Sequence, residues 1–452
     1  MVILLLLVAV SIVVTPARSH AQGFGIYEHS ACAMARAAAG VAQPCTDGSA
    51  IAVNPAAIAG HEGITFGGGG LLVFGSSTFT ADDSTRTSTE TAPAPVPYGY
   101  FTYGVNSRLA FGIGGYAPYG LGVKWPLEFA GRFVSFDSTL KTFQIQPTLA
   151  YAISPALSIG GGPTIAIGSV ELNRREDLAA VPLGATGLSF GALVNNQTDF
   201  ATTNLSASGA TGFGFNVGAL LKVSDRLQVG ARYLSSMKLS FDGDATFTPV
   251  PDPIVVTKAN PLGLPIGTPL TPLVGQVLAN LPDQGARTEL EMPAQLVIGA
   301  AVRATPRLTL LGDYQWVGWT VFDTVTLDFA HPSTPDEQLV QGYRDTGALR
   351  LGVEFEMNPA LQLRSGYAYT QAAAPDETVT PLLPEAQRNH VTVGIGWTLR
   401  PRLSLDVAYH FVAHADRRGR VVNRPPDSTA DLNTGTYRSR GNLLGLTLTY
   451  RQ

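Results

Sequence analysis

Lys141 to Ile153 reads KTFQIQPTLAYAI, and its odd positions Phe143, Ile145, Leu149, Tyr151 and Ile153 are apolar. The even positions Gln144, Gln146, Thr148, Ala150 and Ala152 are polar or small. In an extended chain successive side chains point to opposite faces, so this pattern describes a strand with one greasy and one wet face. The alternation returns in Phe213–Leu221, in Met292, Ala294, Leu296, Ile298, Ala300 and Val302, and in Leu349–Met357. It returns again in Val391–Leu399, in Leu403–Phe411, and in Leu444, Leu446, Leu448 and Tyr450.

Between these strands, short and long connections take turns. The short ones share a form: Ser154-Pro155-Ala156-Leu157, Ser224-Asp225-Arg226-Leu227, Thr305-Pro306-Arg307-Leu308, Asn358-Pro359-Ala360-Leu361 and Arg400-Pro401-Arg402-Leu403. Pro and Asp favour such tight bends. The long ones cover roughly residues 75–96, 119–137, 172–209, 242–287, 330–346, 371–387 and 414–440. The tally is fourteen strands, an even number that leaves both barrel ends of the chain on the short-turn side. Bacterial outer-membrane barrels are built this way.

Composition agrees. Only 14% of the 452 residues are charged, against about 25% in soluble domains. Beyond the extreme N-terminus no apolar run approaches the roughly 18 residues of a spanning helix, which excludes a helical membrane bundle. A net charge of -4 argues against a nucleic-acid binder, which needs a basic stripe to displace counterions from phosphates. In hydrocarbon each unpaired backbone group costs several kcal/mol, so a spanning sheet must close on itself. The expected fold is therefore all-β: a 14-stranded antiparallel transmembrane β-barrel, with Tyr151, Tyr367, Tyr369, Trp397, Tyr409 and Tyr450 as interface residues. A soluble β-protein with an internal cavity is the alternative.

Residues 1–21 form the expected signal peptide. Val2 to Val14 is apolar, Pro16 interrupts it, and Ser19 and Ala21 supply small residues for cleavage before Gln22, although the usual preceding positive charge is missing. Export places Cys32 and Cys45 where one disulfide can form, two free buried thiols being the alternative. Residues 22–62 do not alternate, and between Gln22 and Gly60 only Glu28, Arg36 and Asp47 are charged. That segment is expected to be buried as a plug, leaving residues 63–452 as the barrel.

Gly23-Phe24-Gly25 through Arg36-Ala37, Asp47-Gly48-Ser49-Ala50 and Asn54-Pro55-Ala56 resemble the N-terminal hatch of the FadL/TodX family of Gram-negative outer-membrane transporters. Tyr119-Gly120-Leu121, Gly212-Phe213-Gly214-Phe215-Asn216, Leu290-Glu291-Met292-Pro293 and Tyr343-Arg344-Asp345 extend the resemblance over nearly the whole chain. It implies passive uptake of long-chain fatty acids or aromatic hydrocarbons, captured by outer loops, passed by the hatch and released sideways beside a kink in strand three. The hatch motif is Asn54, Pro55 and Ala56, and the kink falls at Gly114, Gly115 and Pro118, where Gly removes a side chain and Pro a donor. Ordinary lumen-lining glycines are the alternative for the kink. Phe24 and Ile26 are implied to reach an inner pocket.

Two long loops carry apolar residues suited to capture: Leu188 and Phe190 in one, and Leu270, Leu273 and Val277 in the other, where the spacing fits an amphipathic helix. Packing of these loops on their neighbours is the competing explanation. A carboxylate cargo needs a cation, and Lys124, Arg132, Arg174, Arg232, Lys238, Arg350 and Arg364 are the candidates. No catalytic residues, cofactor or metal are expected. His410 and His414 lie four strand positions apart, about 13 Å, and cannot share one ion; no nucleophile elbow or phosphate loop sits in a suitable setting. A general porin, and after it an outer-membrane lipase, are the other functions considered. The expected surroundings are outer-membrane lipid and lipopolysaccharide, with barrel-assembly machinery engaged during insertion and a monomer as the final state. The chain ends Tyr450-Arg451-Gln452 rather than in the Phe that often closes such barrels, though Gly445, Leu448 and Tyr450 keep an insertion-signal pattern.

Overall fold

The computed structural model describes residues 23–60, 62–421 and 434–452; the expected signal peptide lies outside the described residues. Fourteen wall strands run antiparallel in chain order. They are β1 (Gly63–Ala81), β2 (Ala94–Gly104), β3 (Leu109–Tyr116, resumed at Gly120–Lys124), β4 (Asp137–Ala152), β5 (Leu157–Asp177), β6 (Asp199–Lys222) and β7 (Leu227–Leu234, resumed at Met237–Pro249). They continue as β8 (Gln284–Met292, resumed at Gln295–Thr305), β9 (Leu308–Val317, resumed at Thr324–Phe329), β10 (Thr346–Asn358), β11 (Leu361–Thr370), β12 (Arg388–Arg400), β13 (Leu403–His414) and β14 (Thr434–Arg451). β1 pairs with β14 from Thr65↔Arg451 to Ala81↔Gly435, which closes the cylinder.

Closure leaves the period-two pattern with two environments. Phe213, Ile298 and Trp397 are 72%, 54% and 51% exposed and face outward, whereas Gln146, Thr164 and Asn216 are fully buried and face the bore. Apolar side chains thus meet lipid, while amides and hydroxyls line the interior, where they find hydrogen-bond partners.

The structure departs from the sequence pattern in strand parity and in strand length, the β1–β14 ladder, for one, running through residues 75–81 and 435–441. Met292 does not continue the lipid face of Leu296 and Ile298 but is buried inside. Pro293 and Ala294 lie outside the ladder and separate the two parts of β8, and this interruption reverses which parity points inward. Residues 172–177 and 199–209 also continue the β5–β6 ladder rather than forming loop, and β7 runs on to Pro249 with β8 starting at Gln284. β6 alone has 24 residues, roughly 80 Å of extended chain against about 30 Å of hydrocarbon. Its loop end therefore rises out of the bilayer. There neither face meets lipid, so the apolar alternation fades while backbone pairing persists.

Candidate functional site

The N-terminal segment contains α1 (Ala31–Ala35), α2 (Ala50–Val53) and a 3-10 turn at Pro55–Ile58. Ser30 caps α1 by accepting from the Ala33 amide. The run of alanines keeps the helix thin enough to lie against the wall. Around the bore, Ala31 donates to Thr447 Oγ1 (2.9 Å) on β14, and Thr392 Oγ1 on β12 donates to the Ala35 carbonyl (2.9 Å). The amides of Gly40 and Val41 converge on Asp313 Oδ2 (2.7 and 2.9 Å) on β9. Gln146 Nε2 on β4 donates to Ile51 O (2.9 Å), and Tyr100 OH on β2 to His29 O (2.8 Å). The segment's hydrogen-bond partners lie on strands spread right around the cylinder.

Asn54 organises the middle of this segment. Its Oδ1 accepts from Ala56 N at 3.2 Å, capping the turn, and Pro55 occupies the first turn, where no amide donor is needed. Its Nδ2 donates to Val41 O (2.7 Å) and to Ala219 O of β6 (3.0 Å). A Cβ at Gly218 would stand 2.1 Å from Asn54 Oδ1, so the wall must be glycine there. Cys32 and Cys45 are bridged, and Arg36, buried beside them, faces Glu354 at 3.8 Å. Burial, reinforced by Arg232 and Arg350, pushes the His29 imidazole down to about 3. His29 is thus neutral near neutral pH.

The two sides of the segment differ in character. Toward the long loops lies an apolar cavity of about 120 Å³ lined by Phe24, Leu121, Leu140, Val170, Phe241, Leu290 and Phe322 among others. Phe24 packs edge-on against Trp319, Phe322 and Tyr119, with ring centroids 4.9, 5.3 and 6.1 Å away. Toward the short turns lies a polar vestibule of about 770 Å³, lined by Arg36, Asp47, Arg303, Glu354, Arg364 and the turn Ser154-Pro155-Ala156.

Beside the segment the wall itself is interrupted. β3 pairs with β2 only from Gly104↔Ala110 to Gly99↔Gly115, whereas β2 stays paired with β1 as far as Ala94↔Val73. Among the described residues, Ala94–Tyr98 therefore have no β3 ladder partner. Contact resumes where Glu90 N donates to Lys124 O (2.8 Å). Between these points β3 bends inward. Ile26 N donates to Pro118 O (2.7 Å) and Gly120 N to Phe24 O (3.0 Å). Tyr119, also buried, crosses the bore: its hydroxyl donates to Pro293 O and accepts from Gln295 Nε2, both at 2.8 Å, on β8. Gly114 and Gly115 mark the last paired positions, where a Cβ would meet Tyr100 at 2.9 Å and Phe143 at 2.8 Å. Pro118 lies inside the bend.

Of the apolar candidates, Phe24 lines the cavity and Ile26 packs beside Gly120. Phe190 and Leu270 are buried in a separate cluster that joins the two loops, together with Leu178, Val256 and Val274. Leu273 and Val277, on α3 (Thr271–Ala279), pack against it and remain half-buried, as does Leu188 nearby. Five of the basic candidates are ion-paired: Lys124 with Asp137, Arg132 with Asp199, Arg174 with Glu176 and Glu337, Lys238 with Glu289, and Arg364 with Glu354 and Asp406. Arg232 is bonded to Asn216 and Gln295; Arg350 is bonded to Gln315 and lies over the Tyr27 ring. Sequence reasoning missed Leu140, Val170, Phe241 and Leu290. The signal was present: the inward face of β4 runs Leu140, Thr142, Gln144, Gln146, Thr148, turning apolar only at its loop end.

A family model described as outer membrane protein transport protein (OMPP1/FadL/TodX) matches residues 12–452. Outer membrane protein P1 of Haemophilus influenzae is 22% identical, with 98% of each chain covered. The long-chain fatty acid transport protein of Escherichia coli K12 is 23% identical over 90% of this chain and 91% of its own. Among solved structures, a Pseudomonas aeruginosa FadL homologue superposes with a TM-score of 0.76 at 21% identity, covering 95% of this chain and 99% of that one. The P. putida toluene transporter TodX gives 0.70 at 20% identity, with the same coverage.

Proposed function

This chain belongs to the OMPP1/FadL/TodX family of outer membrane transport proteins, and from that premise we propose how its hydrophobic cargo crosses. It is an outer-membrane β-barrel transporter of hydrophobic molecules, not an enzyme. In the proposed path, a long-chain fatty acid or aromatic hydrocarbon is gathered by the loop cluster around α3 and moves into the apolar cavity above Phe24. The N-terminal segment acts as a hatch that blocks the axial route. The cargo leaves sideways between β2 and β3.

The observation that carries this reading is the interrupted β2–β3 ladder, bent inward and bonded to Phe24 and Ile26. Energetics favour the sideways exit. Beneath the segment lies a vestibule lined by Arg36, Asp47, Glu354 and Arg364, and an alkyl chain leaving an apolar cavity for that wet space loses about 0.8 kcal/mol per methylene. A lateral opening delivers the same chain from protein to lipid without that loss.

Deleting Ala117–Tyr119, so that β3 can continue straight along β2, tests the path. Uptake of radiolabelled oleate or toluene by cells lacking their own transporter should collapse while the barrel still assembles. Undiminished uptake by a correctly inserted variant would overturn lateral release.

A further inference from the structure

His390 on β12 and His410 on β13 sit side by side in the wall, with His390 Nδ1 2.8 Å from His410 Nε2. The other nitrogen of His390 lies 3.2 Å from Thr370 Oγ1 on β11, a neighbour that orients the ring. His410 is 1% exposed, and its Nδ1 has no hydrogen-bond partner among the described residues. That nitrogen is turned toward Glu28 of the N-terminal segment, whose Oε1 lies 3.6 Å away. One donor atom from each of Glu28, His390 and His410 falls within 4.8 Å of the other two.

We propose that Glu28, His390 and His410 bind a divalent transition metal of the zinc class, fastening the N-terminal segment to the barrel wall. Two imidazoles and a carboxylate form the mixed nitrogen and oxygen set that zinc accepts, with bonds of about 2.0–2.2 Å and donor atoms about 3.3 Å apart in a tetrahedron. Binding would draw the three donors, within 4.8 Å of one another, to that spacing, the His390–His410 hydrogen bond being exchanged for metal bonds. Water or a further protein oxygen completes the coordination. Two arginines of this part of the bore are engaged elsewhere: Arg388 donates to Gly23 O at 2.6 Å, and Arg350 lies over Tyr27. A metal explains why a buried imidazole nitrogen faces a carboxylate without bonding to it. The segment supplies one ligand and the wall two, so the ion would tie them together whatever path the cargo takes.

The test uses the mature protein in detergent, stripped with chelator and titrated with Zn²⁺ against a chromophoric zinc indicator. One equivalent should bind with micromolar or tighter affinity. His390→Ala and His410→Ala should each weaken binding at least tenfold, while His414→Ala, at the end of the same strand as His410, should bind like the wild type. Glu28→Gln, which leaves the wall intact, should also lose about tenfold and carries the test if a histidine variant fails to assemble. Absence of binding, or wild-type binding in Glu28→Gln and both histidine variants, would overturn the site. Zinc should also slow amide exchange around Glu28; tight binding with unchanged exchange would overturn the fastening.

Discussion

The amide of Ile26 donates to the carbonyl of Pro118 at 2.7 Å, so the wall strand that leaves its ladder is held by the N-terminal segment. Inward bend and segment are thereby one hydrogen-bonded unit. Replacing Ile26 with Pro removes this donor. A single hydrogen bond contributes about 0.5–1.5 kcal/mol net, so the neighbouring Gly120 amide should exchange roughly two- to tenfold faster by mass spectrometry. Unchanged exchange would show that the bend is self-supporting.

Asn54 makes a cap and two donations at once. Asn54→Ala should destabilise the segment by about 2–4 kcal/mol, because the Val41 and Ala219 carbonyls lose a donor within the buried bore. Limited proteolysis should then cut within residues 23–60 of the variant before it cuts the barrel. Equal protection in variant and wild type would remove Asn54 from this role.

The hatch and the general porin differ in conductance. The intact protein should pass little current in planar bilayers, and deletion of residues 22–60 should open a large, stable ohmic pore. Large conductance from the intact protein would favour the porin.

His29 gives a pH signature. Its folded value near 3 lies below the ordinary 6.5, so between these values the unfolded chain binds a proton that the folded segment refuses. The stability tied to this group is whole above pH 6.5 and is lost progressively as pH falls toward 3. Thermal melts from pH 7 to 4 should show a shallower decline for His29→Gln than for wild type. Parallel declines would assign the acid sensitivity to other groups.

Much of this arrangement was legible without coordinates. Asn54-Pro55-Ala56 is legible as a local unit, cap followed by turn. The apolar loop residues were singled out for capture, yet Phe190 and Leu270 pack into one loop cluster, because two apolar loops close together bury each other first. The cavity-lining Leu140, Phe241 and Leu290 were passed over, since an inward apolar residue carries the same letter as an outward one, and only following the inward face of a strand such as β4 to its loop end separates the two. His410 was compared with His414 along its own strand, while its close partner stands across the ladder.

From the sequence alone came the strands, their two faces and the need for a closed cylinder, because side-chain alternation is a local property and lipid forbids a free sheet edge. Only the tertiary structure decided where β3 abandons β2, what the N-terminal segment touches, and that Glu28 meets His390 and His410. Those are contacts between distant parts of the chain, such as Ala31 with Thr447 across 416 positions. Their geometry depends on barrel closure, bulges and chain breaks whose effects accumulate around the ring, and no local repeat records that sum.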